Sequence, residues 1–77
     1  MKVEVLLYAT LRKYGASHGG PLTVDLIEGD RLERILEILG MPPDVEKVML
    51  VNGRPAEPDS VLNEGDRVVI FPPVAGG

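Results

Sequence analysis

Residues 29–40 read GDRLERILEILG, and this stretch decides how the rest of the chain is understood. Leu32, Ile35, Leu36 and Leu39 fall at i, i+3, i+4 and i+7, one apolar stripe of a helix. Asp30 is expected to be the N-cap, with Glu33 completing a capping box in which Asp replaces Ser or Thr. Loss of such a cap would cost on the order of 1 kcal/mol. Gly40 suits the C-terminal stop, and Pro42 and Pro43 beyond it cannot continue the helix. Glu33 and Glu37 form a like-charge pair at i, i+4, with Arg31 and Arg34 placed to relieve it.

On both sides of this helix the period changes to two. Upstream, KVEVLLY (2–8) sets Val3, Val5 and Leu7 on one side and Glu4, Leu6 and Tyr8 on the other. TLRKYG (10–15) suggests a single helical turn ended by Gly15, and GASHGGP (15–21) has loop composition. LTVDLI (22–27) alternates again, with Leu22, Val24 and Leu26 together, giving a first hairpin. Downstream, KVMLV (47–51) reads as a strand and Asn52–Gly53 as a tight turn. Arg54–Pro55 fits a short edge strand, where proline is tolerated. SVLNEGD (60–66) is a loop leading to the last strand, RVVIF (67–71).

The order is strand, strand, helix, strand, short strand, strand. It predicts an α+β domain with a mixed sheet of four or five strands and one main helix on one face, the β-grasp or ubiquitin-like arrangement. One helix covers only one side of such a sheet. If Val3, Val5, Val68 and Ile70 face the helix, then Leu6, Tyr8, Val69 and Phe71 face outward. An apolar uncovered face of this sort tends to be a docking surface.

Composition narrows the function classes. Seventy-seven residues fit one domain. No cysteine is present, which removes disulfides, iron–sulfur ligation and thiol nucleophiles, and favours a cytoplasmic protein. A ferredoxin-like electron carrier on this fold is thereby excluded. The formal net charge is −4, so nucleic acid is not an expected partner; a protein with a basic face is. No apolar run is long enough for a membrane span, and no signal-peptide pattern is expected. His18 is the only histidine, so a metal site is not expected. GASHGG lacks the Lys and Ser/Thr of a phosphate loop. Glu57, Asp59, Glu64 and Asp66 read as a solvated acidic surface, and no catalytic constellation is evident.

The remaining feature is the ending, FPPVAGG (71–77). Pro72 cannot donate to a strand ladder, and the two prolines should end the sheet and keep the exit extended. The expected division is a β-grasp domain over 1–73 and a flexible Gly-Gly tail over 74–77. Glycines at the tip would let the tail enter a narrow channel. The terminal carboxylate would be ionised at neutral pH and would need activation before any acyl transfer.

These residues resemble the MoaD/ThiS family of ubiquitin-like sulfur carriers over the whole chain. LYATLRK (7–13) and LNEGDRVVIFPPVAGG (62–77) look most like the MoaD branch, the small subunit of molybdopterin synthase. The thiamin branch typically has Gly-Gly without the two prolines. The resemblance implies that an ATP-dependent enzyme adenylates the carboxylate of Gly77 and that a sulfur donor converts it to a thiocarboxylate. The tail would then enter the large synthase subunit, in a heterotetramer, and deliver sulfur to the pterin precursor of molybdopterin. Gly77 would carry the sulfur; Val74, Ala75 and Gly76 would line the inserted arm. Tyr8 and Phe71 match aromatic partner-contact positions. The chain itself would bind no cofactor and hold no catalytic site of its own. A carrier for thiamin or another pathway, a ubiquitin-like protein modifier, and a β-grasp binding module with an idle terminus are the alternatives.

Overall fold

The computed structural model describes residues 1–15 and 20–73. The elements are β1 (Lys2–Leu7), a 3-10 helix (Ala9–Tyr14), β2 (Leu22–Asp25), α1 (Leu32–Leu39), β3 (Val48–Val51), β4 (Arg54–Pro55) and β5 (Arg67–Phe71). The strands form one five-stranded sheet in the order β2-β1-β5-β3-β4. β1 and β5 run parallel at its centre, and every other pairing is antiparallel. This is the expected β-grasp arrangement.

Alternation along the strands decides which side is core. Val3 and Val5 of β1, Val68 and Ile70 of β5, Val24 of β2 and Met49 of β3 are buried. From the helix, Leu32, Ile35 and Leu36 join the same cluster. An eight-residue helix is marginal alone, so burial of this stripe is what holds α1 in place. It ends as the sequence suggests. Gly40 takes φ 73, and the amides of Gly40 and Met41 donate to the carbonyls of Glu37 (3.0 Å) and Leu36 (2.9 Å).

The start of α1 differs from expectation. Arg31, not Asp30, occupies the N-cap position, and no side chain caps it. The Asp30 carboxylate instead accepts from the Ile27 amide at 2.9 Å, closing the turn before the helix. The helix's first free amides find backbone partners. Leu32 N–H donates to the Ser60 carbonyl (2.9 Å) and Glu33 N–H to that of Pro58 (2.8 Å). The Leu62 amide donates to the Asp30 carbonyl (2.9 Å), so residues 58–62 form a strap across the helix entrance. A distant segment thus does the work of a capping side chain. Of the two arginines, Arg34 pairs with Glu37 at 3.0 Å, whereas Arg31 donates to the Asp59 carbonyl.

A second correction concerns Asp66, which is only 8% exposed rather than part of a solvated acidic surface. Its carboxylate accepts from the Asn63 amide and from Asn52 Nδ2, both at 2.8 Å. Its carbonyl accepts from the Glu4 amide at 2.9 Å. Asn52 and Gly53 sit at φ 52 and φ 83, the left-handed pair of a type I′ hairpin turn. Asp66 therefore ties that turn to β1 and to the start of β5.

Candidate docking face and tail exit

The side of the sheet turned away from α1 is built by register. Leu6 of β1 and Leu50 of β3 both stand opposite Val69 of β5, while Val48 of β3 stands opposite Phe71. All five are half-buried and share the uncovered face. The other end of that face is charged. Glu4 lies opposite Arg67 and pairs with it at 2.8 Å, and Lys2 pairs with Asp25 at 3.1 Å. The open face is thus apolar where β5 ends and ionic where it begins.

Tyr8 follows β1 on the apolar side. Its backbone is extended (φ −123, ψ 157), its amide donates to the Ile70 carbonyl at 3.1 Å, and its carbonyl accepts from the Leu11 amide at 3.1 Å. The chain then turns sharply at Ala9, whose φ is 52. The 3-10 helix drives Leu11 into the core and leaves Arg12 and Lys13 exposed. Tyr8 is left 48% exposed, on a backbone bonded to both β5 and the helix. Since Leu7 stands opposite Ile70, the same parallel register carries Tyr8 alongside Phe71.

The structure therefore brings Tyr8 and Phe71 together at the edge of one apolar patch. Pro72, half-buried, and Pro73, exposed, continue from it. Val74, Ala75, Gly76 and Gly77 lie outside the described residues, as does His18. Val48 and Leu50 belong to the patch and were not singled out from the sequence. Their signal was the alternation in KVMLV, where burial of Met49 obliges its neighbours to face the other way. Among the described residues, no group of three or more His, Cys, Asp or Glu side chains could hold a metal ion. No helix among them is long and apolar enough to cross a membrane.

A family model described as the ThiS family matches residues 5–77. The chain belongs to the ThiS family. The match runs from the middle of β1 through Gly77, so it includes both the apolar open face and the Gly-Gly end. Among solved structures, this ThiS-family chain is similar to a putative molybdopterin converting factor, subunit 1, from Pyrococcus furiosus. Identity is 29%, the TM-score is 0.77, and 95% of this chain and 98% of that chain are covered. It is also similar to small archaeal modifier protein 1 of H. volcanii, with 25% identity, a TM-score of 0.76, and 95% and 98% of the two chains covered. A complex of subunits 1 and 2 of molybdopterin-converting factor from Helicobacter pylori shares the fold at 20% identity, with a TM-score of 0.66 and both chains fully covered (100%). No curated protein matches the chain. The ThiS-family chain is thus a small sulfur-carrier or ubiquitin-like protein of the ThiS/MoaD type.

Proposed function

We propose that this chain is the small, sulfur-carrying subunit of a molybdopterin synthase. The observation that carries the reading is the family match extending through Phe71-Pro-Pro-Val-Ala-Gly-Gly to residue 77. Both the double-proline exit and the 29% identity to the Pyrococcus furiosus molybdopterin converting factor favour this branch.

The chemistry follows from a carboxylate's weakness as an acyl donor. The Gly77 carboxylate attacks the α-phosphate of ATP on an activating enzyme, forming an acyl-adenylate and releasing pyrophosphate. Sulfide-level sulfur from a donor attacks the acyl carbon, the C–O bond to AMP breaks, and a thiocarboxylate is left. Val74, Ala75 and Gly76 thread that end into a large subunit, where sulfur passes to the pterin precursor. Tyr8 and Phe71 anchor the large subunit at the root of the arm. Every catalytic group is supplied by partners, and the chain binds no cofactor.

The similarity to the H. volcanii modifier protein supports a second reading, attachment through the same carboxylate to lysines of other proteins. Intact mass after incubation with ATP, an activating enzyme and a sulfur donor separates the two. The carrier exchanges one terminal oxygen for sulfur; the modifier yields ladders on other proteins. Deleting Gly77 should abolish sulfur transfer while leaving the urea unfolding midpoint unchanged. Continued sulfur delivery by the truncated chain would refute the assignment.

A further inference from the structure

We propose that Asn52 is a site of spontaneous deamidation that Asp66 holds latent in the folded chain and that Asp66 then drives apart once it reacts. The inference is independent of the sulfur-carrier reading.

In the reaction the Gly53 amide nitrogen attacks Asn52 Cγ. The new N–Cγ bond forms, the Cγ–Nδ2 bond breaks, and ammonia leaves with the amide proton. Water then opens the succinimide at either carbonyl, giving aspartate or isoaspartate. No oxidant, metal or cofactor takes part. Glycine is the follower that hinders this attack least, because it has no Cβ. At Gly53, apart from its chain neighbours, nothing stands within 4 Å of where a Cβ would be, so the turn is uncrowded on that side. Asn52 itself is exposed, which admits water and base.

The fold withholds the carboxamide from this path. Asn52 Nδ2 donates to Asp66 Oδ1 at 2.8 Å, and Asn52 Oδ1 accepts from the Arg67 amide at 2.9 Å. The Asn52 amide also donates to the Arg67 carbonyl at 2.8 Å. All three bonds direct the residue toward the start of β5, and the two side-chain bonds hold the carboxamide against the rotation that would bring Cγ to the Gly53 nitrogen. The bond to a carboxylate is of the stronger, charge-assisted kind, so this latch should slow the reaction about tenfold or more.

Reaction reverses the sign of the contact. A carboxylate oxygen replaces the Nδ2 donor at hydrogen-bond distance from Asp66 Oδ1, so two like charges face each other. Asp66 also receives the Asn63 and Glu4 amides, so the repulsion falls on the joint linking β1, the β3–β4 turn and the start of β5. Deamidation therefore weakens the latch that prevented it.

The test incubates the full chain in mildly alkaline buffer, with and without urea, and quantifies aspartate and isoaspartate in the peptide containing Asn52. The folded chain should react about tenfold more slowly than the unfolded one, and Asp66→Ala should remove much of that protection. Equal rates in both states, or a folded Asp66→Ala variant that reacts no faster, would overturn the latch. Should Asp66→Ala fail to fold, Asn52→Asp and Asn52→Gly decide by their urea midpoints. Glycine suits φ 52 and loses both side-chain bonds without adding charge, whereas aspartate can still accept from the Arg67 amide. If the facing charges expel the side chain, Asn52→Asp should nonetheless be the less stable of the two. An Asn52→Asp chain as stable as Asn52→Gly would refute the expulsion.

Discussion

Replacing Tyr8 by alanine tests whether the open face is an interface. Its backbone bonds to Ile70 and Leu11 survive the change, so the local path of the chain should hold. With 48% of the residue exposed and an aromatic side chain offering roughly 200 Å², about 100 Å² remains for a partner to cover. At about 25 cal/mol per Å², discounted for the hydroxyl, covering it is worth about 2 kcal/mol, or roughly 30-fold in affinity. The half already covered in the free chain should cost about 1–2 kcal/mol of stability, which a domain of ordinary stability survives. Calorimetric titration of wild type and Tyr8→Ala against the large synthase subunit measures the first effect, and urea unfolding measures the second. Ile27→Ala serves as control. It is 77% exposed but follows β2, at the end of the sheet away from the tail exit, and should leave affinity unchanged. A folded Tyr8→Ala chain binding within twofold of wild type would refute the placement of Tyr8 in the contact, and a matching loss in Ile27→Ala would refute the placement of the interface.

Two further outcomes follow from the same geometry. Phe71→Ala should weaken large-subunit binding by about 2 kcal/mol and also lower the urea midpoint, because Phe71 is half-buried beside Val48 in the free chain; undiminished affinity of the folded variant would remove it from the interface. Ile35→Ala truncates a helix side chain with 0% exposure and should cost about 2–5 kcal/mol, read from the urea midpoint, without altering affinity at a fixed fraction folded.

The fold was legible wherever a local period carried it. Leu32, Ile35, Leu36 and Leu39 announced the helix, and Asn52–Gly53 announced its turn because φ values of 52 and 83 suit those residues. The helix entrance was not legible, because its amides are satisfied by the carbonyls of Pro58 and Ser60, which carry no side-chain signature. Asp30 has the chemistry of a cap and uses it one turn earlier, on Ile27. Asp66 read as one surface acid among several, since its partner Asn52 lies fourteen positions away and only the pairing of β3 with β5 brings them together. For the docking face, inward burial of Val5, Val68 and Ile70 made Leu6, Val69 and Phe71 predictable. The β3 contribution needed the sheet order, which places β3 beside β5.

The strand that leads to the C-terminal arm is the middle rail of the sheet, with β1 and β3 hydrogen-bonded along its two edges. A tug on the arm runs along that rail and loads the rungs on both sides in shear, many at once, instead of peeling them singly. For the carrier proposed above, such an anchorage would let the chain be drawn and released by its end without its body being unzipped.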